Sequence, residues 1–175
     1  MKTNAETTTI VFRTYDFKEL KTYLFSAIFI IGNIVVPQLV HLIPNGGHIF
    51  LPIYFFTLVG AYKYGWKVGL LTAIFSPLIN SALFGMPASG ALPAILSKSI
   101  LLAIAAGLTS SHYKKVSLLL LAGVVASYQI SGTLMEWVYL GDLTIAATDF
   151  KLGIPGILIQ IFGGWALIKT ITYKK

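Results

Sequence analysis

The chain has 175 residues, of which 56% are hydrophobic and only 11% charged, with no cysteine and a formal net charge of +7. A soluble domain carries about 25% charged residues, so composition excludes an ordinary water-exposed globule, and the missing cysteines exclude disulfide frameworks and thiolate chemistry. The basic residues stand singly or in pairs between apolar runs, a pattern of membrane topology signals and not of a nucleic-acid-binding face.

Residues 1–22 read as a cytoplasmic arm. Lys2, Glu6, Arg13, Asp16, Lys18, Glu19 and Lys21 flank a threonine run, without the apolar core of a cleavable signal peptide. Residues 23–172 read as one all-α integral membrane domain, a bundle of six transmembrane helices. The predicted spans are Tyr23–Val40, Ile49–Tyr62, Trp66–Phe84, Leu92–Thr109, Val116–Leu140 and Leu152–Ile171. Crossing the hydrocarbon takes about 20 apolar residues. The second stretch is shorter than that, so it is tilted, extends into the loop before it, or re-enters.

Basic residues set the orientation. Lys2, Arg13, Lys18, Lys21, Lys63, Lys67, Lys114, Lys115, Lys169, Lys174 and Lys175 all fall on one side of an even-numbered topology. The loops His41–His48 and Gly85–Ala91 carry none, and the fifth loop carries Lys151 alone. Both termini are therefore expected in the cytoplasm. Small-residue spacings within the spans (Gly69 with Ala73, Ala103 with Gly107, Ala122 with Ala126, Gly123 with Ser127) predict close helix contacts inside the bundle.

Polar residues within the spans gather towards the outer side. Lys98 is expected ~10 Å below the outer end of the fourth span and Glu136 ~6 Å below that of the fifth, at 1.5 Å per residue. An ionisable group at membrane depth costs on the order of 2.5–3.5 kcal/mol, so it reads as functional by default, and the two are deep enough to pair. Gln129, Thr133 and Glu136 share a helical face, which suggests a cavity-lining stripe. Gln38 and Asn80 lie near outer ends, Asn33 and Gln160 nearer mid-depth. His41 and His48 flank a flexible Asn45-Gly46-Gly47 turn. Without a third ligand at a telling spacing, they read as lid or hydrogen-bonding groups, and no metal is expected. Trp137 stands where it can stack on a flat ligand or belong to an interfacial belt. The candidate substrate-binding set is thus His41, Asn45, His48, Asn80, Lys98, Gln129, Glu136 and Trp137.

No phosphate loop, zinc-protease helix or nucleophile elbow occurs. No enzyme activity and no cofactor are expected of this chain, and ATP hydrolysis, where transport needs it, falls to a partner.

Three stretches carry a family resemblance: Asn45-Gly-Gly-His-Ile-Phe-Leu-Pro52, Gly65 through Ser81, and Leu83-Phe-Gly-Met-Pro-Ala88. In them the chain resembles the substrate-binding S-components of energy-coupling factor (ECF) vitamin transporters. The resemblance implies six helices with cytoplasmic ends and high-affinity capture of a small water-soluble vitamin or precursor from outside. It also implies docking on an ECF module of one transmembrane coupling subunit and two ATPases. The family's Ala-x-x-x-Ala docking patch is absent, since Ala27 is followed four residues later by Ile31. Lys98 stands where the resemblance leads one to expect an acidic residue, which points to an anionic ligand. Two other classes stay open: a stand-alone facilitator, which needs polar residues through to the inner face, and a membrane-embedded enzyme using Glu136 or His41.

Overall fold

The computed structural model describes residues 14–172, and every regular element among them is helical. Lys2, Glu6, Arg13, Lys174 and Lys175 lie outside the described residues. The first helix, α1 (Leu20–Val40), shows which solvent the bundle is built for. Its buried residues are Thr22, Ser26, Phe29, Asn33 and Pro37, while Leu24, Ile28, Ile31, Val35 and Leu39 are exposed. The polar stripe faces in and the aliphatic stripe faces out, the reverse of a helix on a soluble protein. Five segments are long and apolar enough to cross a membrane: Leu20–Val40, Trp66–Phe84, Leu92–Tyr113, Leu118–Leu140 and Ile154–Thr172. The chain is an all-α protein of membrane type.

The second apolar stretch is broken. A short helix α2 (Gly46–Phe50) ends at Leu51, a 3-10 turn spans Pro52–Tyr54, and α3 (Phe55–Tyr64) completes the segment. Proline disfavours the α conformation in the residue before it, and Leu51 adopts the left-handed region at φ 47°. Two consequences follow. His48 sits within α2, not in an open loop, and the first turn of α3 needs an outside acceptor. Asn33 of α1 supplies it: Phe56 N donates to Asn33 Oδ1 at 3.2 Å. The Asn33 amide nitrogen in turn donates to Thr57 at 3.0 Å and Ser76 at 3.3 Å.

The second loop, expected between Tyr62 and Lys67, contracts to one residue. Gly65, at φ 97°, joins α3 directly to α4 (Trp66–Phe84), a conformation open to glycine because it lacks a Cβ. Lys63 is therefore a buried residue of α3 and not a loop residue. The bundle continues through α5 (Leu92–Tyr113) and α6 (Leu118–Leu140), then two short helices, α7 (Leu143–Ala146) and α8 (Thr148–Leu152). The last segment comprises α9 (Ile154–Leu158), a π-helical turn at Ile159–Gly163 and α10 (Gly164–Thr172).

Cross-helix contacts fix which ends lie together. At one end Tyr15 N donates to Tyr64 O at 3.2 Å, Ser26 Oγ to Val68 O at 3.3 Å and Tyr62 OH to Lys115 O at 2.8 Å. At the other, Gln38 Nε2 donates to Asn80 Oδ1 at 3.2 Å. The final segment runs alongside residues 46–64 in the same direction, with Gly156 against Phe50, Gly163 against Phe55 and Gly164 against Leu58. Thr172 thus lies towards the same end as Tyr64, the end bearing Lys67, Lys114 and Lys115. We call this the basic end, and the opposite one the loop end.

Small residues set the helix spacing at the centre. A Cβ on Gly69 would stand 2.3 Å from Ala61 Cβ, and one on Gly107 would stand 2.4 Å from Trp66 Cβ. Those spacings do pack within the bundle. The α6 pairs do not: Gly123 has nothing within 4 Å of an added Cβ, and Ala126 and Ser127 are exposed. The inward face of α6 is set instead by Leu121, Val124, Val125, Tyr128, Gln129 and Gly132.

Candidate functional site

A cavity of about 450 Å³ opens at the loop end, within the 300–1,000 Å³ of small-molecule sites. Its roof is the 41–54 segment, and one side is the turn at Met86, Pro87 and Ala88. His41, Asn45, His48, Asn80 and Glu136, drawn from three separate parts of the chain, line this one space. The roof sits close to the bundle because Gly46 meets the Val40 carbonyl, where a Cβ would come within 2.2 Å, and Gly47 lies under the His41 ring.

Lys98 and Glu136 form the ionic element of the site. Lys98 Nζ donates to Glu136 Oε2 at 2.6 Å, with side-chain exposures of 1% and 14%. Glu136 is the member that lines the cavity, while the Lys98 stem crosses α6 over Gly132. Burial of this kind is tolerated in an apolar medium because each charge neutralises the other. The ammonium is held behind the carboxylate, and the carboxylate is what an incoming molecule meets.

Asn80 lines the cavity and is also bonded within the bundle. Its Nδ2 donates to Asn33 O at 2.9 Å and Ser76 O at 3.0 Å, while its Oδ1 accepts from Gln38. The amide that lines the cavity is thus committed to holding α1 against α4. Gln129 lies one helical turn below Gly132, off the cavity wall. Both its amide atoms, and Thr133 Oγ1 beside it, are buried without a hydrogen-bond partner. Each such group costs about 1–3 kcal/mol, and groups of this kind call for an explanation beyond packing. Trp137 lies outside the cavity and is 42% exposed.

Pro37, Leu51, Tyr54 and Ile95 also wall the cavity, and the sequence reading did not single them out. Pro37 within an apolar helix and Leu51 before Pro52 were the available signals, since both perturb backbone at membrane depth. Tyr54 packs its ring on Tyr128 at 5.4 Å, and Tyr128 OH donates to Gln160 Oε1 at 2.9 Å within the π-helical turn. Single π turns are frequent at functional sites. Among the described residues no three His, Asp or Glu side chains gather as metal ligands.

Comparison with protein-family models, curated proteins and solved structures returned no match to this chain. The functional reading therefore stands on the cavity's own chemistry.

Proposed function

We propose that the chain captures a small vitamin-like molecule at the loop end and serves as the substrate-specificity subunit of an ATP-driven transporter of ECF type, in a prokaryotic plasma membrane. One observation carries the reading: a ligand-sized cavity lined by His41, His48 and Glu136 lies at the bundle end opposite Lys67, Lys114 and Lys115. Basic residues favour the cytoplasm, so the cavity mouth faces outward and both chain ends face inward. Residues 46–64 count as one broken crossing, giving six in all. Broken helices are tolerated at membrane depth where they line a cavity, as this one does.

Below the cavity, Leu58, Leu102, Leu121 and Val125 are fully buried, and the buried hydroxyls of Thr72 and Ser76 are turned back onto Val68 O and Thr72 O of their own helix. That apolar floor favours capture over a standing pore. Release to the cytoplasm then requires rearrangement driven by partner subunits, a coupling protein and its ATPases.

The test is retention of a ligand. Protein purified in mild detergent is extracted and the extract analysed by mass spectrometry, which should find a small molecule in stoichiometric amount. Equilibrium binding of that molecule should weaken at least tenfold, about 1.4 kcal/mol, in Glu136→Ala and Lys98→Ala. Wild-type affinity in both variants would overturn the site.

A further inference from the structure

Glu136 lines a second space. A groove of about 650 Å³ runs between α5 and α6 on the flank of the bundle, walled by Pro93, Ser97, Leu134, Met135 and Val138, and it shares Ala94 and Glu136 with the outer cavity. The groove exists because its floor is made of small residues. Ala94 has one methyl, and the Ser97 hydroxyl is turned back to donate to Pro93 O at 2.8 Å, while the space beside Gly132 is taken by the Lys98 stem. That turned hydroxyl leaves Glu136 as the carboxylate at the junction. Leu134, Met135 and Val138 are exposed, so in a bilayer this wall faces acyl chains.

Glu136, 14% exposed despite its ion pair, stands where a ligand-sized cavity meets a lipid-facing groove and can be reached from both. Lys98 occupies one of its oxygens from behind, and the carboxylate lines both the cavity and the groove. We propose that the bound molecule is amphiphilic: a hydrogen-bond-donating head, cationic or neutral, seated on Glu136 in the outer cavity, with an apolar arm lying in the α5–α6 groove. From Gly132 to Tyr139 the groove follows about 10 Å of helix at 1.5 Å per residue, and an arm longer than the groove continues into the acyl chains. The inference rests on the capture reading and narrows it. The head is a donor and not the anion that Lys98 suggested in the sequence, because Lys98 stands behind the carboxylate. The molecule enters with part of its surface already in the membrane.

The probe is decylamine carrying a photoreactive tip, applied to the full chain in phosphatidylcholine nanodiscs. Peptide mapping should place the label within residues 132–139. Untagged decylamine should compete it away at concentrations at least tenfold below those needed for propylamine. Glu136→Gln should reduce competable labelling at least tenfold, and so should Ser97→Leu, which fills the groove. Val138→Trp fills it from the α6 side and serves as the second variant should Ser97→Leu not fold. Labelling that cannot be competed, or that is indifferent to Glu136→Gln, identifies bulk lipid in the groove and overturns the proposal. A co-purified ligand without an apolar arm, bound equally by Ser97→Leu, also overturns it while leaving capture intact. Competable, Glu136-dependent labelling supports the groove even where no ligand co-purifies, so the two readings fail separately.

Discussion

The Lys98 stem lies across Gly132, so that a Cβ at residue 132 would stand 2.4 Å from Lys98 Cγ. That contact lets an ammonium on α5 reach a carboxylate one turn further along α6. The missing side chain is as much a part of the ion pair as the charges are.

Gly132→Ala is therefore expected to displace the lysine near its root, where the chain cannot swing aside. A loss of about 1–3 kcal/mol is expected for such overpacking, together with weaker ligand retention. Thermal unfolding in detergent and the co-purification assay check the two effects. Unchanged melting would show that Lys98 has another route to Glu136.

Removing one charge should hurt more than removing both. Lys98→Met strands Glu136 with no cation at 2.6 Å, and breaking a buried pair costs about 3–5 kcal/mol. The lower part of that range is expected here, because Glu136 reaches the cavity. Lys98→Met combined with Glu136→Leu should recover most of the stability while abolishing binding. A double-mutant cycle on unfolding midpoints measures the coupling, and additivity would mean that the pair contributes nothing.

Two glycines separate space from propensity. At Gly107 a Cβ would meet Trp66 backbone nitrogen at 2.5 Å, so Gly107→Ala should push α5 from α4 and destabilise by roughly 1–3 kcal/mol. At Gly123 nothing lies within 4 Å, and Gly123→Ala should be neutral or stabilising by up to about 1 kcal/mol through helix propensity. Melting both variants side by side tests the assigned helix faces.

At the basic end the Lys67 ammonium donates to the Asp16 carboxylate and holds its pKa below the usual 3.8, with help from the Lys18 amide. A lowered folded-state pKa stabilises above the unfolded value and loses that contribution as pH falls through the folded one. Melting curves between about pH 5 and pH 2 should therefore fall less steeply for Asp16→Asn than for wild type. The difference should shrink in high salt, since the pair is exposed. Equal slopes would mean that the arm is not fastened to α4 in this way.

Much of the fold was legible beforehand. The predicted span Trp66–Phe84 coincides with α4, and α1, α5 and α6 differ from prediction only by a turn or less at their ends. Long apolar runs between charged breaks leave little freedom in an apolar solvent, because backbone hydrogen bonds must be satisfied within the segment. The pairing of Lys98 with Glu136 was equally readable, from similar depth and from the cost of leaving either alone. The break at Leu51 was not. A left-handed leucine has no sequence signature beyond the proline after it, and α3 begins at Phe55 because Asn33, on another helix, accepts from Phe56 N. The third and fourth small-residue pairs expected to pack, Ala122 with Ala126 and Gly123 with Ser127, face outward for a related reason. Spacing says that residues share a face but not which way the face turns.

Composition and charge order, by themselves, determined a helical protein of membrane type and its apolar segments, since transfer between water and hydrocarbon depends on each residue almost independently. Helix rotation was decided only by the assembled bundle. It put Glu136 on the cavity and Lys98 behind it, committed Asn80 to a structural bond, and left Trp137 outside. Those outcomes follow from pairwise packing, in which Gly132, Gly69 and Gly107 permit close approach, and a packing contact is a property of two segments that neither contains alone.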